Sequence, residues 1–195
     1  MGWKEEREIA ELRGYVDDNF SGRDWNLATA MVIKGEAGMQ LMGDWAKGEF
    51  LAAGKVPGKD FICSPAPGSG KNYTFNIDSF AMFQLKNKDN EKAQKDLAKA
   101  IMSPSFQELF NLNKGSIPVR LDVPLTKFDD CAKESNKDFV AASKANTLLP
   151  SIAHSMAVPP AAEGAIKDAV SKFWNDDKET SKDAQAEILK ASKTK

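Results

Sequence analysis

The side chains with the most reactive chemistry are few. The chain has two cysteines, Cys63 and Cys131, and one histidine, His154. A thiolate and an imidazole can form a nucleophile and its base, but no local signature surrounds Cys63 or His154. A structural zinc site takes four Cys or His ligands, and these three residues include no CxxC pair. No metal or cofactor is therefore expected. The GxSxG elbow, the HExxH helix and the GxGxxG turn are absent. Gly68-Ser69-Gly70-Lys71 resembles a phosphate loop only in part. It lacks the leading glycine and the Ser or Thr after the lysine. No pair of carboxylates stands out as a glycosidase pair. The residues thus point away from an enzyme. The two cysteines read equally as buried free thiols or as one disulfide.

A different set suits a neutral polyhydroxyl ligand. Such a ligand needs planar polar groups for its hydroxyls, a cationic donor, and an aromatic ring to stack on its C–H face. Trp45 follows Asp44 at an expected helix start. Asn76 and Asp78 are two apart, so on a strand they share one face. Lys114 lies in a glycine-containing crossing, and His154 in a late loop. Each also has a plainer reading. Trp45 can be core, Asn76 and Asp78 can cap a turn or face water, Lys114 can be solvated, and His154 can be structural.

These residues must be positioned by the elements around them. Residues 4–18 read as an amphipathic helix carrying Ile9, Leu12 and Val16. Asp24 is placed to cap a helix over Trp25–Lys34, with Leu27, Ala28, Met31 and Val32 inward and Gly35 closing it. Residues 37–43 read as a buried strand between glycines, and about 45–53 as a helix. Phe61-Ile62-Cys63 reads as a short strand, and residues 64–70 as a proline- and glycine-rich hinge. Tyr73–Leu85 is the best strand signal. Helices are expected at 91–102, after Ser103-Pro104 to about Leu112 with Phe106, Leu109 and Phe110 inward, over most of 122–145, at 161–174 and at 180–192. Leu148–Pro160 reads as a loop. Helices and strands in this order predict an α/β fold.

Composition bounds the partners. Of 195 residues, 42% are hydrophobic and 28% charged, a globular balance, and the formal net charge is -1. That leaves no field to attract nucleic acid or an anionic membrane. No apolar run approaches the roughly 20 residues of a membrane span. The charged start, Met1 to Arg7, shows no signal-peptide core.

Four stretches, taken together, resemble proteobacterial glucose/mannose-binding proteins of ABC importers. They are Ala37–Lys47, Tyr73–Phe80, Asn113–Arg120 and Ala153–Met156. The resemblance covers about residues 10–190, in order and spacing, and includes the positions of Cys63 and Cys131. It implies a type II periplasmic-binding-protein fold, incomplete here as a C-terminal lobe plus a segment of the N-terminal lobe. It places residues 1–63 and 121–195 in the C-terminal lobe, 64–70 and 115–120 as hinge crossings, and 71–114 in the other lobe. It implies a monosaccharide ligand, glucose first, stacked on Trp45 and held by Asn76, Asp78, Lys114 and His154. It also implies a Cys63–Cys131 disulfide, a periplasmic location and ABC permease subunits of the inner membrane as partners. Arg120 is expected to be structural. Family members are about twice this length, so residues 1–195 alone are expected to bind sugar weakly or not at all; the alternatives are a non-binding interaction or scaffold fragment and, behind it, a sugar-acting enzyme.

Overall fold

The computed structural model describes residues 12–16 and 22–194. These fall into two compact units. One includes Gly68–Asn76 and Thr147–Lys195; the other is Arg23–Pro67 with Ile77–Asn146. We call them the sheet unit and the disulfide unit. Most of the helix expected at 4–18 lies outside the described residues; within them, Leu12–Tyr15 is a 3-10 turn.

The disulfide unit is built on five helices. α1 spans Trp25–Lys34 and ends at Gly35, whose φ of 78° is the left-handed conformation that glycine adopts without penalty. A 3-10 turn, Asp44–Ala46, leads into α2, Lys47–Ala52. α3 spans Lys88–Ile101, starting three residues before the expected position. Its Asn87 side chain accepts from the Asp89 and Asn90 amides. α4, Pro104–Lys114, is capped by Ser103, which accepts from Phe106 N–H. α5, Asp130–Ala145, is capped by Asp129 and joined to the 61–63 segment by a Cys63–Cys131 disulfide, with Cα atoms 5.6 Å apart. The core here is Val123, Phe128 and Ala132, with Leu112, Ile117 and Leu125 against it.

The sheet unit holds a two-stranded parallel pair. β1, Tyr73–Phe75, runs beside β2, Leu148–Pro150, in the register Tyr73↔Leu148 to Phe75↔Pro150. α6, Pro160–Asn175, packs on α7, Ser181–Ala191; Ala162, Ile166 and Ala169 of the first and Ala184 and Ala191 of the second are buried. The architecture is a helix-rich α/β fold with a small sheet.

Several local expectations are corrected. Residues 37–43 are not a strand; Met39 is 84% exposed. Gln40 instead ties the segment to α1, accepting from Thr29 Oγ1 at 2.7 Å and donating to the Trp25 carbonyl at 3.1 Å. Thr29 is the residue α1 buries, and Leu27 is exposed. The 73–85 signal yields a ladder only over Tyr73–Phe75, and 61–63 only the bridge Pro57↔Phe61. A strand needs a partner's N–H and C=O groups. Among the described residues no second segment completes these ladders. β2 gives Tyr73–Phe75 its partner within what reads as a loop. In α4 the buried residues are Gln107 and Asn111, while Leu109 and Phe110 are exposed. The 122–145 helix begins at Asp130, after a stretch of turns.

Candidate functional site

The site residues of the disulfide unit gather where α4 ends against the start of α2. Gly115, at φ 87°, turns the chain out of α4, and its N–H donates to the Asn111 carbonyl at 2.9 Å. A Cβ on Gly115 would lie 2.6 Å from Gly48 N, and one on Gly48 would lie 2.7 Å from the Lys114 carbonyl oxygen. Two backbones therefore touch, and only glycines permit it. This contact brings Lys114 beside the Asp44-Trp45 turn. The Lys114 ammonium is paired with the Asp78 carboxylate and lies 5.8 Å over the Phe110 ring. Asp78 is 65% exposed, so its carboxylate faces solvent as well as Lys114. The Trp45 indole folds back on Gly43; a Cβ there would lie 2.0 Å from its ring.

The surrounding frame is firm. Lys47, 5% exposed, binds both Asp129 oxygens at 2.9 and 2.8 Å, while Asp129 also accepts from Ala132 N–H at 2.9 Å. Asn111 accepts from Ser116 Oγ at 2.7 Å, fixing the segment after Gly115. Arg120 donates to Asp122 at 2.7 Å and to the Met102 carbonyl at 3.2 Å, a structural arrangement. Burial pushes the Asp44 carboxyl above its ordinary range. Lys47, Lys114 and the amides of Trp45 and Ile117 pull the other way.

The sheet unit positions the other two residues. Asn76 directly follows β1. Ser151 directly follows β2 and extends the ladder, its N–H donating to the Phe75 carbonyl at 2.9 Å. Ser151 Oγ and His154 Nδ1 are 2.8 Å apart. Asn76 and His154 thus lie beyond the carboxyl ends of two parallel strands, where open α/β sheets bind ligands.

The structure thus joins Asp78 with Lys114 near Asp44, and sets Asn76 and the His154 loop past the carboxyl ends of the two paired strands. Asn76 and Asp78 belong to different units, and β1 ends at Phe75. Strand alternation therefore does not govern them, contrary to the shared-face expectation. Sequence reasoning placed Asp44 beside Trp45 but not near Lys114, and missed Ser151 and Glu163 as neighbours of these residues. Glu163 had a signal in its i,i+4 spacing to Lys167. Among the described residues no group of three or more His, Cys, Asp or Glu could hold a metal ion. No described helix is long and apolar enough to cross a membrane.

Comparison with known proteins gives this chain a family. The bacterial extracellular solute-binding protein family matches residues 4–108, more than half of the chain. This chain belongs to that family. A probable sugar-binding periplasmic protein of Brucella suis is 54% identical over 183 residues, covering 94% of this chain and 43% of its own length. A probable sugar-binding periplasmic protein of Rhizobium meliloti is 52% identical, covering 94% and 44%. The xylose/arabinose-binding protein XacG of Haloferax volcanii is 29% identical over 160 residues, covering 80% and 33%. The chain thus spans less than half the length of these relatives. Its α/β architecture is consistent with part of a periplasmic-binding-protein fold.

Proposed function

We propose that this chain forms part of the substrate-binding component of an ABC sugar importer, acting by binding and not by catalysis. The ligand is a monosaccharide, glucose first. Trp45 supplies the stacking face. Asp78 accepts hydroxyls, Lys114 donates, and Asn76 and His154 do either. The Cys63–Cys131 disulfide holds the frame behind Trp45 and Lys114 and suits an oxidising periplasm. The partners are permease subunits of the inner membrane. The lobe division at 64–70 and 115–120 belongs to this proposal. It refers to a two-lobed protein and differs from the two compact units above.

The observation that carries the reading is the Asp78–Lys114 pair. It offers an acceptor and a donor near Asp44, the residue before Trp45, in a chain 54% identical to a protein named for sugar binding. The test is a chimera in which this chain replaces the matched 183-residue portion of the Brucella suis relative. Calorimetric titration with glucose, mannose, galactose and xylose should give heat, strongest for glucose. Trp45→Ala or Asp78→Ala should abolish it. Retained affinity in both variants would reject the site.

A further inference from the structure

His154 sits in a short loop whose two flanking residues are both gripped by one helix. In that loop Ser155 has φ 57°, a left-handed conformation uncommon for a residue with a side chain. It persists only where surrounding contacts hold it. The loop's own backbone closes through Ser155 N–H to the Ile152 carbonyl and Met156 N–H to the Ser151 carbonyl, each at 3.1 Å. The outside grip comes from α6. Glu163, 7% exposed, is paired with Lys167 one turn on and accepts from the Ser155 hydroxyl. Lys167 Nζ reaches the Ala153 carbonyl at 3.5 Å. Residues 153 and 155, on either side of His154 in the chain, are thereby tied to neighbouring turns of α6. The imidazole Nδ1 lies 2.8 Å from Ser151 Oγ. Burying a carboxylate is costly unless it is paired and hydrogen-bonded. Lys167 first, then Ser155, hold the Glu163 carboxyl below its ordinary range.

We propose that Glu163, with Lys167, is a positioning residue for ligand recognition: a clasp that presets the His154 imidazole before a hexose hydroxyl arrives. The inference rests on the sugar reading above and deepens it. Presetting a polar group lowers the ordering cost of binding. Glu163 need not touch the ligand; it acts through the loop.

The test has two readouts. The chain has one histidine, so its ring-nitrogen NMR signals are unambiguous. These shifts report which nitrogen carries hydrogen and what it bonds. In this chain without sugar, Glu163→Ala should move and broaden them, with helical circular dichroism unchanged. Glu163→Gln keeps an oxygen for Ser155 but loses the Lys167 ion pair and the charge acting on His154, so its pattern should fall between those of the wild type and Glu163→Ala. Unchanged signals in Glu163→Ala, or a Gln variant as altered as the Ala variant, would overturn the clasp. In the chimera, Glu163→Ala should weaken glucose binding about tenfold. Added to His154→Ala, it should weaken binding no further; additive losses would show that Glu163 does not act through His154. The sugar-free NMR readout can fail while the Trp45 and Asp78 titrations succeed, and the reverse, so the two readings fail separately.

Discussion

The two units hold their candidate site residues by different means. In the disulfide unit the junction of Lys114 with the Asp44–Gly48 segment is framed by backbone-to-backbone contact at Gly48 and Gly115, a buried Lys47–Asp129 pair and a disulfide. In the sheet unit His154 hangs on side-chain hydrogen bonds from Ser151 and from α6 through its neighbours. The first frame has almost no freedom to relax, because close backbones and covalent bonds cannot yield by changing rotamer. The second can. The same split appears in two carboxyls. Burial raises Asp44, whereas hydrogen bonds lower Glu163. One is ionised at a cost to the fold; the other is ionised to its benefit.

Changes to the first frame should therefore cost more. The largest effect is expected from replacing Cys63 and Cys131 with Ala. A 68-residue separation gives roughly 4 kcal/mol by loop entropy, read as a fall in the urea midpoint. Lys47→Ala should follow at about 3 kcal/mol, because it leaves Asp129 partly buried and unpaired. Gly115→Ala should cost about 2 kcal/mol through its positive φ and the approach of Gly48. Ser151→Ala, in the other unit, should cost only about 1 kcal/mol, that of a lost hydrogen bond. A Ser151→Ala variant as damaged as Lys47→Ala would break the comparison.

The smallest expected effect sharpens it by sign. Asp44 has a raised folded-state pKa, so the fold binds its proton more tightly than the unfolded chain does. Stability should decline as pH rises from about 4 through that folded pKa, and Asp44→Asn should remove the decline. Glu163 is lowered. Its contribution is present above about pH 4.5 and lost as pH falls through its folded pKa; Glu163→Gln should lose it at neutral pH. Urea midpoints from about pH 3 to 7 for both variants check the two slopes. Slopes of the same sign would contradict the contrast.

Much of the helical structure was legible in the sequence. Gly35 ends α1, Ser103-Pro104 starts α4, and 160–175 and 181–191 fall close to their expected positions. Caps, prolines and glycines act within a few residues, so their effects are local. Strands were misread at 37–43 and 76–85 because apolar or aromatic segments become strands only beside a partner. The inner face of α4 was misread because Gln107 and Asn111 are buried by their hydrogen bonds: Gln107 to the Ile101 carbonyl, Asn111 to Ser116. Hydrophobicity alone points to Leu109 and Phe110 instead. Of the candidate site, residue types were visible: a ring, two planar acceptors, an ammonium and an imidazole.

By itself, then, the sequence determined several helix ends through their caps, glycines and prolines, the near-neutral charge and the residue types available for binding a polyhydroxyl ligand. These follow from backbone preferences and side-chain chemistry over short spans. The tertiary structure decided which of those residues meet. It put Lys114 on Asp78, turned Trp45 onto Gly43, and tied the His154 loop to Glu163. Those contacts join residues as far as 36 positions apart. No local propensity encodes them, because they depend on two backbones approaching at Gly48 and Gly115 and on two strands finding each other across the chain.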